Sequence, residues 1–121
     1  MTYRLEIVTE VRDWLHQLRR TDRISAMLVG QAITALLEEG PSLGRPLVDR
    51  IKGSRLHNLK ELRPGSTRTT EMRILFVFDP GRNVVLLVAG DKAGQWTAWY
   101  RQAIPLAESR FATYLKEKEQ P

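Results

Sequence analysis

The sequence predicts an α/β (α+β) sandwich, a mostly antiparallel sheet with flanking helices in the order β-α-α-β-β-β-α. Three observations predict it. Apolar residues recur at helical spacing near both ends of the chain. Between them, runs of β-branched and aromatic residues are separated by Gly, Pro and Asp clusters that read as turns. One of those runs, Val84-Val85-Leu86-Leu87-Val88, is apolar on both faces, as a central strand requires. At 121 residues the chain has room for one sheet and a few helices around a single core, hence one domain over 1–121.

Element by element, Tyr3 to Val8 alternates and reads as a strand. Thr9 suits an N-cap, and Val11, Trp14, Leu15 and Leu18 then follow helical spacing. Arg19 to Arg23 breaks the pattern, and Thr21 or Asp22 can cap a second helix with the stripe Ile24, Leu28, Ala32, Ala35 and Leu36. Glu39-Gly40-Pro41 stops it. Residues 41–54, with Pro41, Gly44, Pro46 and Gly53, read as a basic loop. Leu56 to Arg63 and Thr69 to Phe78 read as strands, and Asp79-Pro80-Gly81-Arg82 as a type II turn. Asn83 to Ala89 is the third strand of this group. A last helix is expected to open at Ile104-Pro105, with Ala107, Phe111 and Leu115 inward and residues 116–121 frayed.

Composition narrows the function classes. There are no cysteines, which excludes disulfides, thiolate metal sites and cysteine nucleophiles together. The two histidines, His16 and His57, make no acid/base pair. With no clustered His and no repeated acidic spacing, neither a metal site nor any cofactor is expected. No phosphate-binding glycine loop or serine-hydrolase elbow is present. The first residues carry alternating charge and no apolar run, and no stretch approaches a membrane span, so a cytoplasmic protein without membrane partners is expected. The net charge is +5, and residues 45–73 hold eight basic against three acidic side chains, so this segment accounts for the whole excess. Such a local excess suits a polyanion, although a solvated basic surface would look the same.

Within that region, Glu61, Arg63 and His57 share one face of their expected strand, and Arg73 lies on the face of the next strand opposite Met72, Ile74, Phe76 and Phe78. If the all-apolar face meets the helices, Arg73 points to an open sheet face beside Glu61 and Arg63. A carboxylate can orient two arginines there, or the three can form a plain cross-strand ion-pair group. Lys92 sits just past a strand end between Gly90 and Gly94, as a ligand-approaching residue or a polar turn. Trp96, Trp99 and Tyr100 concentrate aromatics that can stack on RNA bases or fill a core, with Tyr100 the better surface candidate.

Four segments in this order and spacing carry a family resemblance: Leu59-Lys60-Glu61-Leu62-Arg63, Met72-Arg73-Ile74-Leu75-Phe76, Phe78-Asp79-Pro80-Gly81-Arg82 and Gly90-Asp91-Lys92-Ala93-Gly94. With Trp96 to Tyr100 and Ile104-Pro105-Leu106-Ala107 they make residues 3–116 resemble the RelE/HigB superfamily of type II toxins, in its Gp49-like branch. The chain departs from simple members at Pro64, which ends the strand directly after Arg63, and in a longer connection over Gly65 to Thr70.

The resemblance implies a toxin silenced by a cognate antitoxin, expected as a helix-turn-helix protein, and a ribosome-dependent cut in messenger RNA. By position it carries over Arg63, Arg73 and Lys92, with Tyr100 as a weaker correspondence; together with Glu61 the first three are the expected catalytic residues, and Lys60, Arg68, Trp96, Tyr100 and His57 are expected to bind RNA. RNA is cut when its 2′-hydroxyl attacks the neighbouring phosphate, which needs a proton acceptor and stabilisation of the charged phosphorane. Arginines suit the second task and are poor proton carriers. Lys92 can serve the first if nearby positive charge lowers its pKa, and Glu61 is the other possible base or only an orienter of Arg63. The alternatives are a non-catalytic nucleic-acid-binding regulator of phage origin on the same fold, and an inactive homologue acting through protein contacts.

Overall fold

The computed structural model describes residues 2–119. Strand β1 (Arg4–Ile7) leads into α1 (Thr9–Thr21) and α2 (Arg23–Glu39), and a 3-10 turn (Gly40–Ser42) follows. Then come β2 (Val48–Arg50), β3 (Lys60–Leu62), β4 (Met72–Phe78), β5 (Asn83–Asp91) and α3 (Trp96–Glu119). The strands form one sheet in the order β1-β5-β4-β3-β2. Only the β1–β5 pair is parallel. No helix among the described residues is long and apolar enough to cross a membrane.

The sheet separates two apolar layers. On one face Met72, Ile74 and Phe76 meet Val11, Leu18, Val29 and Leu36 of α1 and α2. On the other Leu75, Val77, Val85 and Leu87 meet Trp99, Ala103, Ala107 and Phe111 of α3. Each fully buried side chain of this size contributes roughly 1.5–3 kcal/mol, so both layers are needed to offset the entropy of folding. The face that carries Arg73 is therefore covered by α3, not open as the strand pattern alone suggested. β5 is apolar on both sides for the same reason, and as the pattern requires it lies inside the sheet. Its register skips a residue, Phe76 pairing with Leu86 and Leu75 with Val88. Leu87 is the extra residue of this bulge, and its carbonyl accepts from Arg110 Nη1 of α3 at 2.9 Å.

Local chemistry explains the helix ends. Asp22 closes α1 and caps α2, its Oδ1 accepting from the Ser25 amide at 3.1 Å. Thr9 does not cap α1; Val8 occupies that position without a side-chain bond. The buried stripe of α2 runs through Ser25, Val29, Ala32 and Leu36, rotated from the expected one so that Ile24 is exposed.

Several boundaries differ from expectation. The basic loop 41–54 contains β2, whose three residues are too few to show a period. Only Lys60–Leu62 of the expected 56–63 strand pair with neighbours, and β4 begins at Met72 instead of Thr69. Helix α3 starts at Trp96, and Pro105 lies inside it. Pro105 and Arg101 are both exposed, so water can serve the Arg101 carbonyl that the proline leaves without a donor. The inner stripe of α3 ends on Tyr114; Leu115 is exposed. Residues 116–119 continue the helix and are not frayed, while 120 and 121 lie outside the described residues. In the β4–β5 turn the positive φ belongs to Arg82 (64°), and Gly81 has none. The Arg82 amide donates to the Asp79 carbonyl at 3.2 Å. This is a type I turn followed by a left-handed residue, the usual three-residue hairpin loop, and not type II.

Candidate active site

Pairing register assembles the candidate residues at one end of the sheet. Asp49, Glu61 and Leu75 occupy one row across β2, β3 and β4, and Arg73 and Gly90 lie two rows further, on the same face, across β4 and β5. Two carboxylates directly opposite each other repel. Arg63 reconciles them: its Nη2 donates to Asp49 Oδ2 and to Glu61 Oε2, each at 3.3 Å. Pro64 ends β3 as expected, and Arg63 lies just past the strand, its amide donating to the Leu47 carbonyl at 2.7 Å.

Glu61 is 4% exposed and Arg73 9%. A charge so deeply placed is tolerated only when paired. Arg73 Nη2 donates to Glu71 Oε2 at 3.2 Å and Nη1 to the Met72 carbonyl at 2.8 Å, while Nε lies 3.5 Å from Glu61 Oε1. Tyr100, from the first turns of α3, donates its hydroxyl to the same Glu61 Oε1 at 2.7 Å. Burial first, and then the Glu61 carboxylate, push the Tyr100 phenol up to about 12. It stays protonated at neutral pH and acts as a donor. The Nε groups of Arg63 and Arg73 are buried without any hydrogen-bond acceptor. Both atoms are shielded from solvent, so an anion would meet the pair through the accessible part of the Arg63 guanidinium, whose side chain is 35% exposed.

Lys92 completes the group from the β5–α3 connection. Its amide donates to the Glu71 carbonyl at 2.9 Å, and its carbonyl accepts from the amides of Gln95 and Trp96. Its Nζ lies 4.7 Å from the centre of the Trp96 ring and 5.4 Å from that of Tyr100. Partial burial, with the positive charge of Arg73 next, holds the Lys92 ammonium below the ordinary lysine value, although Glu61 and Glu71 pull the other way. Gly90 is required beneath it, since a Cβ there would lie 2.6 Å from Trp99 Nε1. Trp99 is buried against the sheet, whereas Trp96 is exposed and held at a φ of 35°. An exposed tryptophan in that region costs of order 1 kcal/mol and is a feature of functional sites.

The structure thus brings together Glu61, Arg63, Arg73, Lys92, Trp96 and Tyr100. It does not bring Lys60, Arg68 or His57 to them. Lys60 lies on the other face, its Nζ 5.3 Å from the Phe78 ring centre. His57 is exposed in the turn before β3, toward the end of the sheet where Phe78 lies. Arg68 is exposed in the β3–β4 loop. Asp49 and Glu71, which clamp the two arginines, were missed because β2 is short and Glu71 precedes the paired part of β4. Their only sequence signal is being acids in a basic segment.

Residues 13–112 match the family described as phage derived protein Gp49-like. The chain belongs to that family. Among relatives of this Gp49-like chain, the Mycobacterium tuberculosis protein named "Putative toxin HigB2" is 51% identical over 112 residues, 93% of this chain and 54% of that protein. The match thus spans about half the length of that relative. "Putative toxin HigB3" of the same organism is 46% identical over 109 residues, 90% of each chain. Among solved structures, a double arginine-to-alanine mutant of the Escherichia coli toxin RelE in the free state superimposes with a TM-score of 0.58. The superposition covers 87% of this chain and 97% of that one at 14% identity, a likeness of fold.

Proposed function

We propose that this Gp49-like chain is the toxin of a type II toxin-antitoxin pair and cuts messenger RNA on the ribosome, in the cytoplasm, until a cognate helix-turn-helix antitoxin silences it. The observation that carries the reading is the gathering of Arg63 and Arg73 on one carboxylate, Glu61, with Lys92 beside them over the ring of Tyr100, whose hydroxyl binds the same carboxylate. The HigB names of its relatives and the RelE-like fold support it.

In this reading Arg63 and Arg73 hold the scissile phosphate and neutralise the phosphorane. Lys92, entering the reaction deprotonated, takes the 2′-hydroxyl proton. The O2′–P bond forms and the P–O5′ bond breaks, leaving a 2′,3′-cyclic phosphate and a 5′-hydroxyl that takes its proton from solvent. Glu61 orients the arginines, since both its oxygens already have partners. Exposed Trp96 and the Tyr100 ring offer stacking surfaces to the bases. The positive charge the reaction needs comes from side chains, so the proposed cut is metal-independent.

The test is expression of the protein alone in a bacterial host. Arrest of translation is expected, and Lys92→Met and Arg73→Gln should each lower RNA cleavage by about 100-fold or more while circular dichroism stays native. Folded variants that remain fully toxic would overturn the catalytic assignment. RNA that is bound and left intact by the wild type would favour the non-catalytic regulator.

A further inference from the structure

We propose that the corner where α1 meets α2, built from Arg19, Arg20 and Arg23, is a second RNA-binding surface that grips phosphates of the substrate strand beyond the Arg63–Arg73–Lys92 cluster. The proposal deepens the ribonuclease reading and rests on it.

The sequence from 12 to 23 carries Arg12, His16, Arg19, Arg20 and Arg23 against only Asp13 and Asp22. Asp22 is already engaged, accepting from the amide and hydroxyl of Ser25. All four arginines are exposed. Among the described residues, none of them lies within ion-pair distance of a carboxylate. Arg12 and Arg19 lie seven residues apart, on the same face of α1, with Arg20 next to Arg19.

The helix dipole accounts for part of this pattern. Arg19 and Arg20 occupy the last turn of α1, where a cation is favourable. Arg23 is the opposite case. It is the first residue of α2, a helix with no acid in its first turn, where a cation opposes the dipole. The Asp22 carboxylate at the N-cap answers the dipole, but Arg23 itself is exposed and makes no ion pair among the described residues, so its charge is presented to solvent.

Topology brings the corner to the cluster. β1 runs parallel to β5, and α1 continues along β5: Thr9 and Glu10 share a groove with Val85, and Trp14 shares one with Val88 and Ala89. The C-terminal end of α1 therefore lies toward the Gly90–Asp91 end of β5, where Lys92 follows. From the other side, Ser25 Oγ lies 3.2 Å from Thr70 Oγ1. Thr70 belongs to the loop that leaves from Arg63 and returns to Glu71 and Arg73, and exposed Arg68 is in that loop. The Ser25–Thr70 contact thus ties the start of α2 to the loop that connects Arg63 with Arg73, which puts the corner on the same end of the sheet as the cluster. Guanidinium forks match phosphate geometry, and placement at the same end as the phosphate-binding arginines favours an RNA strand over an acidic protein as the occupant.

The test uses the full chain and a 2′-O-methylated RNA 16-mer of mixed sequence, which lacks the attacking hydroxyl, with a 4-mer of the same chemistry as a probe that fills the cluster alone. Three proteins are compared for affinity between 50 and 200 mM salt: wild type, R19Q/R20Q/R23Q, and R4Q/K52Q/K116Q. The last removes the same charge from exposed residues toward the opposite end of the sheet. If three phosphates are held, the corner variant should bind the 16-mer about tenfold more weakly at low salt, with a salt slope smaller by about 2. Its 4-mer affinity should match wild type, and the distal variant should keep the wild-type slope. Equal losses in both variants, or an unchanged slope in a folded corner variant, would overturn the proposal while leaving the ribonuclease reading intact. A corner variant that loses ribosome association and keeps its 16-mer affinity would overturn the substrate-strand assignment in favour of ribosomal RNA. Wild-type protein that binds neither RNA would overturn the proposal, while the ribonuclease reading would still be decided by cleavage on programmed ribosomes.

Discussion

Glu61 accepts from Tyr100 and Arg63 and lies 3.5 Å from Arg73, so its lone pairs are spent on holding cations in place. Lys92 differs: it has no carboxylate within ion-pair distance among the described residues, lies over two aromatic rings, and has a lowered pKa. Its first cause is burial and its second the Arg73 charge. Arg73→Gln removes the second and leaves the opposing pull of Glu61 and Glu71, so the Lys92 pKa should rise in that variant. NMR titration of lysine side-chain carbons would measure it. Because a base works in its deprotonated form, the wild-type cleavage rate should climb with pH through the lowered Lys92 value. Residual activity of Arg73→Gln should climb at higher pH. An unmoved Lys92 titration in the folded variant would show that Arg73 does not tune it. Strand alternation alone sufficed to place Glu61 and Arg73 near each other in the sequence. It could not show that their face is buried, because that depends on α3, which starts nine residues before the proline expected to open it.

Helix α3 does more than cover the sheet. Near its C-terminal end Tyr114 donates to Asp79 Oδ2 at 2.6 Å, and the same carboxylate accepts from Asn83 and from the Gly81 amide. Burial alone would raise Asp79, but these hydrogen bonds outweigh it and hold the carboxyl below its ordinary value. A depressed carboxylate adds stability above its unfolded pKa and loses it as pH falls through the folded one. Tyr114→Phe should therefore cost about 1.5–3 kcal/mol at neutral pH, read as a lower denaturation midpoint. That deficit should shrink below about pH 4 as Asp79 protonates. A deficit constant across that range would mean that the loss comes from packing. Long elements with strong periods, α1, β4 and β5, were legible in the sequence to within a few residues. β2 was not, since three residues carry no period and it is held by its neighbours. Asp49, and with it half of the clamp on Arg63, was hidden for the same reason. The Arg82 turn was misread because Pro80-Gly81 fits a type II turn equally well, and only the β4–β5 register selects the loop that puts the positive φ one residue later.

At the scale of the molecule, the charged cluster and the open grooves are in different places. A groove of about 930 Å³ runs beside β1 and α3, lined by Ile7, Val85, Arg110 and Tyr114 among others, and a smaller one lies between α1 and α3. Neither is lined by Arg63, Arg73 or Lys92. The cluster instead lies at the end of the sheet, with Trp96 exposed beside it. In-line attack of a 2′-hydroxyl on its own phosphate requires the strand to be bent and held, and correct orientation of reacting groups can contribute up to about 7–11 kcal/mol. A cluster that held one phosphate would have little purchase on the sugars either side of it. A ribosomal decoding site, which already constrains the messenger, can supply that orientation. Single-turnover cleavage of messenger RNA on programmed ribosomes should therefore exceed cleavage of the same RNA free in solution by at least about 100-fold, equivalent to roughly 2.7 kcal/mol of orientation. The comparison must be made at one salt concentration, because binding of free RNA weakens steeply as salt rises. Equal rates with and without ribosomes would show that the protein alone bends its substrate, and the need for a ribosome would have to be abandoned.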